Sequence, residues 1–253
     1  MSDDIPVFQF KESDEEGLET LQVISDAHHF NDWMYDTIKP FCHGRILEVG
    51  SGIGNISERF FRDKQDIYLS DIRKNYRIFL SQKFPEAFSA NRILDLDLVH
   101  ASFDTEYSSI LNSFDTVFAL NVVEHIKDHD EAIQNCVKLL KPGGKLIILV
   151  PAYQSIYNHL DKELYHYRRY TKKTLEKLFT KNQVQLSNSF YFNAAGIPAW
   201  FISGRLQRHK TIPKGQMNFF NSLVPVFKIV DSLLLNSIGL SVVCVGRKPT
   251  KYE

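Results

Sequence analysis

Seven short apolar runs dominate the sequence and set what it can fold into. Five of them are GRILEVG (44–50), DIYLSD (66–71), NRILDLD (91–97), DTVFALN (115–121) and KLIILVP (145–151). Residues 55–64, 73–84 and 129–141 carry the apolar spacing of helices between them, and Pro142-Gly143-Gly144 reads as a helix stop. Strands that alternate with helices join by right-handed crossovers into a parallel sheet. The runs are rich in Ile, Leu and Val and nearly unbroken, as strands covered on both faces must be. The expected class is α/β, a doubly wound, Rossmann-like sheet.

The rest of the chain departs from simple alternation. Residues 20–42 read as one or two helices, and 171–182 as a helix starting at Thr171. VQLSNSFYF (184–192) and LSVVCVGRK (240–248) are the last two runs, separated by about 47 residues rich in Phe, Trp, Pro and Arg. A connection of that size is usually functional. With 253 residues, 43% hydrophobic and 24% charged, the chain fits one domain with a full core. The expected layout is an acidic arm over 1–19 and a single domain over 20–253, with a substrate or lid insertion at about 193–239.

Charge is balanced overall but unevenly spread. Residues 1–20 hold seven acids and one base, whereas 161–253 hold fifteen Lys and Arg against five acids. A basic C-terminal third reads either as a solvated surface or as a face that meets an anion. Three scattered cysteines without a CxxC spacing argue against a disulfide framework and a structural zinc site. The acidic N-terminus lacks the order of a signal peptide, and no run of about 18 uncharged apolar residues exists. The expected setting is cytoplasmic, with the inner membrane surface as a further option.

Gly50, Gly52 and Gly54 follow the first apolar run and open a helix. Glycines there let the chain turn sharply and let a ligand approach the backbone. The spacing is GxGxG rather than the GxGxxG of dinucleotide sites, and no P-loop lysine follows. Glu48 stands two residues before the first glycine, where a carboxylate repels a pyrophosphate but suits the cationic sulfonium and amino group of S-adenosylmethionine. Asp71, at the end of the second run, is placed to accept the ribose hydroxyls. At the end of the third, Asp95 is favoured over Asp97 for the adenine amino group, with Leu96 packing on the ring.

As a set, ILEVGSGIGN, SDI (70–72), DLD (95–97), FALNVVEHI (118–126) and LLKPGGKLIILVP (139–151) resemble the successive motifs of class I S-adenosylmethionine-dependent methyltransferases. The resemblance covers roughly residues 30–190. It implies a mostly parallel seven-stranded sheet whose last strand is antiparallel. It also implies that Glu48, Gly50, Gly52, Asp71, Asp95 and Asn121 lie in the cofactor cleft, with Gly54, Ile72 and Leu96 beside them. Asn31 to Tyr35 resembles the segment that covers the cofactor. The tail, from HYRRYTKKTLEKLF to GLSVV, resembles a bacterial subgroup associated with glycosyltransferases of surface-polysaccharide biosynthesis. That implies a sugar or lipid-linked glycan acceptor.

Methyl transfer needs an aligned nucleophile, and a base mainly when the acceptor is a hydroxyl. His166 is the first choice for that base, because histidine titrates near neutrality. Glu124 and His125 follow, at the carboxyl end of the fourth run. Their NxxEH is similar to an ExxEH that holds a divalent metal in some class I methyltransferases, but Asn121 replaces the first acid, and no metal is expected. Tyr153, Tyr157, Arg168, Arg169 and Arg205 are candidates for holding an anionic acceptor. Apolar residues over 219–235 fit a membrane surface, a lid or a homodimer face. The expected activity is methyl transfer from S-adenosylmethionine, leaving S-adenosylhomocysteine, to an O or N of a small-molecule or glycan-like acceptor. RNA methylation and a non-catalytic cofactor-binding module are the alternatives. No RNA-binding module is recognisable, so nucleic acid is not an expected partner.

Overall fold

The computed structural model describes residues 15–206 and 211–250, with only the backbone of Arg205 and Leu206. Arg205 as an acceptor ligand, and residues 1–14 of the acidic arm, thus lie outside the described side chains. Glu15 to Glu19 belong to a helix, α1 (Glu15–Ser25).

The strands are β1 (Ile46–Val49), β2 (Ile67–Asp71), β3 (Ile93–Asp95), β4 (Phe114–Leu120), β5 (Leu140–Pro151), β6 (Gln185–Phe192) and β7 (Ser241–Arg247). They form one sheet in the order β3-β2-β1-β4-β5-β7-β6. The first five strands run parallel, and β7 lies antiparallel between β5 and β6. The order reverses between β1 and β4, which is where open sheets of this kind bind ligands at their carboxyl ends.

After α1 the helices are α2 (His28–Ile38), α3 (Ser57–Arg62), α4 (Lys74–Lys83), α5 (Pro85–Ser89), α6 (Phe103–Glu106), α7 (His129–Leu139), α8 (His159–Glu163), α9 (Lys172–Lys181), α10 (Gly196–Phe201) and α11 (Lys214–Leu233). Asp128 caps α7 by accepting from the Glu131 N–H at 3.0 Å. The helix stops at Leu139 rather than at the Pro-Gly-Gly that follows. Leu140 already pairs with Phe114, and the register resumes at Thr116 with Lys145. Lys141 to Gly144 therefore bulge out of β5 instead of ending a helix, with Gly143 at φ +80°.

Alternation along the strands builds two core layers. Leu47, Val117, Ala119, Ile148, Val242 and Cys244 face α7 and α9. Ile46, Phe118, Ile147, Leu149, Val243 and Val245 face the other way, with α2, α3 and α11. Phe118 is fully buried and stacks on Phe60 with ring centroids 5.2 Å apart. Truncating such a ring costs about 3–5 kcal/mol.

The insertion between β6 and β7 is clasped at both ends. The buried Asp231 accepts the N–H of Asn193 at 2.6 Å and of Ala194 at 2.9 Å. The Leu240 N–H bonds back to the Asn193 carbonyl at 2.8 Å. Lys228–Asp36 at 3.0 Å, Lys214–Asp26 at 2.8 Å and Phe30 N–H to Asn221 Oδ1 at 3.0 Å fasten α11 to the first two helices. Helices from the two ends of the chain thus close over the carboxyl edge of the sheet.

Candidate active site

A cavity of about 900 Å³ opens at that edge. Its volume is near the top of the ~300–1,000 Å³ range of small-molecule sites, enough for a cofactor and part of a second reactant. One end is lined by Glu48 to Gly52, Asp71, Ile72 and Leu96. The other is lined by Glu124, His125, Tyr165, His166 and Trp200. Leu21 of α1, Met34 of α2 and Phe220 of α11 form its cover.

The glycine loop takes its shape from left-handed backbone. Gly50 has φ +69°, and a Cβ there would come within 2.5 Å of Val122 in the loop after β4. Gly54, also at φ +76°, does a different job. It does not line the cavity, and a Cβ on it would meet the Phe84 ring at 2.5 Å. It lets α4 pack close.

Three carboxylates were expected at this end, and two of them border the cavity. Asp71 Oδ2 accepts the Gly52 N–H and Oδ1 the Arg73 N–H, both at 2.9 Å. Burial raises its pKa, and these two bonds offset part of the rise. Glu48 accepts the Ser57 hydroxyl, and burial pushes it up to about 7. Asp95 is placed differently. It is 66% exposed, pairs with Arg77 at 2.6 Å and does not line the cavity. β3 ends at Asp95 and the chain turns, with Val99 N–H on Asp97 Oδ1 at 2.9 Å, so Asp97 is the acid that borders the cavity.

At the far end His166 is buried and held from one side. Its Nδ1 lies 2.8 Å from Asp161 Oδ1. Asp161, fully buried, also accepts Arg169 Nε at 2.7 Å and the Asn158 N–H at 2.9 Å. Burial alone would raise the Asp161 carboxyl, but the His166 hydrogen bond and the Arg169 charge outweigh it and hold it below the usual range. The charged acceptor fixes Nδ1 as the donor, so Nε2 carries the lone pair. His166 is lowered by burial, which Asp161 only partly offsets. His125 opens on the cavity, and the protein atoms enclosing it there desolvate the ring and lower it well below its ordinary value, with His166 and Arg73 adding to the shift. Burial raises Glu124 to about 8, and neither carboxyl oxygen has a hydrogen-bond partner among the described residues.

Of the expected acceptor ligands, Arg169 lines the cavity, but its Nε and Nη1 are committed to Asp161 and the Ala152 carbonyl, and it sits 4.6 Å over the Trp200 ring. Tyr153, Tyr157 and Arg168 do not line it. Tyr153 stacks on Tyr191 at 5.0 Å, Tyr157 donates to the His166 carbonyl at 2.7 Å, and Arg168 holds the Ile126 and Lys127 carbonyls at 2.7 and 2.8 Å. Tyr157 and Arg168 brace the loop that carries His166, whereas Tyr153 packs on β6. Asn121, at φ +55°, and the Asn31 and Met34 side chains of the covering segment do line the cavity. Asp161 belongs to the polar segment after Pro151, but the sequence alone gives it no role. Its signal was the Asn158-x-x-Asp161 capping box that starts α8.

Residues 47–148 match the family model described as a methyltransferase domain. The matched stretch runs from β1 into β5 and includes the glycine loop, Asp71 and Glu124, so this part of the chain is similar to a methyltransferase domain. An uncharacterized methyltransferase of Schizosaccharomyces pombe is 27% identical over 176 residues, 64% of this chain and 60% of that protein. One of Bacillus thuringiensis is 29% identical over 132 residues, 51% of this chain and 57% of that one. A highly reducing polyketide synthase of Pyrenophora dematioidea is 32% identical over 111 residues, 42% of this chain but 4% of that much longer protein. The chain thus spans less than two thirds of these relatives. Among solved structures, Haemonchus contortus phosphoethanolamine N-methyltransferase 2, with phosphomonomethylethanolamine and S-adenosylhomocysteine, superposes with a TM-score of 0.60 at 17% identity, over 97% of this chain and 62% of that one. An S-adenosylmethionine-dependent methyltransferase of Archaeoglobus fulgidus gives 0.54 at 16% identity, over 86% and 94%. At such identities the likeness is one of fold.

The residues present suit S-adenosylmethionine as cofactor. A buried carboxyl at Glu48 complements a cationic amino-acid end, Asp71 retains acceptor capacity for a ribose diol, and Ile72 and Leu96 offer apolar walls. No helix of the described residues is long and apolar enough to cross a membrane.

Proposed function

We propose that this protein transfers a methyl group from S-adenosylmethionine to an oxygen of a small-molecule or glycan-like acceptor. The observation that carries this is the single cavity joining the Glu48–Gly52 loop to Glu124, His125 and His166. Glu48, Gly50, Gly52, Asp71, Ile72, Leu96 and Asn121 would hold the cofactor, which supplies an electrophilic methyl on a sulfonium. Asp97 takes the adenine role first given to Asp95. The Glu124–His125–His166 end receives the acceptor. Asp161 orients His166 so that its Nε2 lone pair is available to accept the proton of an acceptor hydroxyl, and the apolar cover from α1, α2 and α11 keeps bulk water away.

The acceptor reading extends to lipid-linked glycans on one observation. α11 turns Gln216, Met217 and Phe220 to the cavity, while Phe219, Val226, Ile229 and Leu233 are 54–78% exposed. A helix that lines the site with one face and bares apolar side chains on another fits an enzyme working at the surface of a bilayer. Flotation with anionic and neutral vesicles tests this. Vesicle binding lost in Phe219→Ser with Leu233→Ser supports it, whereas a dimer dispersed by the same pair assigns the face to self-association.

The activity is tested by labelled methyl transfer to nucleotide-sugar, lipid-linked glycan, amine and RNA acceptors. Transfer to a hydroxyl of the glycan set is expected. Transfer to RNA alone would overturn the acceptor class, and failure with every set would favour a binding module.

A further inference from the structure

Glu124, His125 and His166 each present one ligand atom within 4.8 Å of the other two. Donors about 2.1 Å from a common ion lie roughly 3–4 Å apart, so a small contraction would bring these three onto one centre. The Glu124 side chain is fully buried, and neither carboxyl oxygen has a hydrogen-bond partner among the described residues. A buried carboxyl in that condition lacks the compensation that such groups normally find in the fold.

The surroundings of His166 match those of a metal ligand. His166 gives Nδ1 to Asp161 Oδ1 at 2.8 Å, which leaves Nε2 to coordinate. Asp161 is itself held by Arg169 and Asn158. A ligating imidazole characteristically donates its other N–H to a carboxylate or carbonyl, which fixes the ring and strengthens it as a ligand. His125 stacks edge-on against His166 with centroids 4.7 Å apart and, unlike the other two, is exposed on the cavity side.

We propose that Glu124, His125 and His166 form a divalent-cation site facing the acceptor end of the cavity. One carboxylate and two imidazoles suit a borderline ion of the zinc, cobalt or nickel kind rather than calcium, which prefers all-oxygen shells. Asn121 had argued against a metal, because it replaces the first acid of an ExxEH. The structure supplies a third donor from outside that motif, in the loop after α8.

Three protein ligands leave a position open toward the cavity. An acceptor hydroxyl bound there loses its proton more easily, because the ion stabilises the resulting alkoxide. With the ion bound, His166 would be a ligand rather than the base. The O–H bond breaks and its proton passes to water. The oxygen keeps the electron pair that forms the new bond to the methyl carbon, and the C–S bond breaks with its pair left on the sulfur of S-adenosylhomocysteine. This consequence rests on the proposed methyl transfer to a hydroxyl; binding of the ion does not.

The test uses the full chain, stripped with a chelator and titrated with Co²⁺, followed by visible absorption and by calorimetry with Zn²⁺. One ion per chain is expected. Affinity should fall at least about 10-fold in Glu124→Gln, and likewise in His125→Ala, whose ring opens on the cavity and whose loss the fold tolerates better. Binding of S-adenosylhomocysteine by each variant checks that it is folded. No ion bound by the folded wild type, or wild-type affinity in both variants, overturns the site. Ion binding without methyl transfer to any hydroxyl would leave the site standing and remove the functional reading. Chelator-insensitive methyl transfer without ion binding would do the reverse.

Discussion

Nδ1 of His166 lies 2.8 Å from Oδ1 of Asp161; both side chains are buried, His166 lining the cavity and Asp161 standing behind it. Because that carboxylate also carries the Arg169 guanidinium, Asp161→Ala would leave a buried cation unpaired, a loss of about 3–5 kcal/mol. Asp161→Asn keeps the shape and removes the charge that fixes the imidazole. It should lower kcat by roughly 10²–10⁴-fold with S-adenosylhomocysteine affinity unchanged. Wild-type kcat in Asp161→Asn would reduce the pair to a structural one.

Glu48 should couple cofactor binding to pH. Burial pushes its carboxyl up to about 7. A folded value above the unfolded ~4.3 means that the fold favours the protonated group. That contribution to stability is whole below the unfolded value and is lost as pH rises through 7. A ligand ammonium beside Glu48 favours the ionised group instead. S-adenosylhomocysteine affinity should therefore rise from pH 5.5 to 7.5 and then level off. At pH 6, calorimetry in buffers of different ionisation heat should show proton release. Glu48→Gln should flatten the profile; an unchanged slope in that variant would assign the proton elsewhere.

The acids after β2 and β3 give a three-way comparison. Asp71→Ala and Asp97→Ala should each weaken S-adenosylhomocysteine binding by about 1–3 kcal/mol, the range for losing a charged hydrogen-bond partner. Asp95→Ala, which removes an exposed pair with Arg77, should leave affinity nearly unchanged. Equilibrium titration of the three variants decides it. A loss confined to Asp95→Ala would return the adenine contact to that residue.

Gly54 separates folding from binding. An alanine there meets φ +76° and the Phe84 ring at 2.5 Å. The backbone penalty alone is about 1–2 kcal/mol, a fall of roughly 2–8 °C in Tm for a domain of this size. Cofactor affinity should hold, because Gly54 does not line the cavity. Lost affinity at an unchanged Tm would place Gly54 in the site itself.

The fold was legible because its signals are local. Buried parallel strands need nearly unbroken Ile, Leu and Val, as in β1, β2, β4 and β5, whereas the exposed antiparallel β6 shows itself by alternation; all seven runs are strands. The Pro-Gly-Gly after α7 misled because the same residues that end a helix also bulge a strand. Between Asp95 and Asp97 the choice depended on where β3 ends, which pairing with β2 decides and no local pattern reports. The arginine and tyrosine cluster at 165–170 has the composition of a binding site. Arg168, however, reaches back to the loop after β4, and Arg169 to Asp161. Only tertiary packing shows which of those polar groups face the cavity and which hold the wall.

Calorimetric titration of the purified protein with S-adenosylhomocysteine, beside NAD, tests the central claim most directly. The account predicts one site for S-adenosylhomocysteine with a Kd of about micromolar, near −8 kcal/mol, and no heat with NAD. Absence of S-adenosylhomocysteine binding by demonstrably folded protein would contradict it.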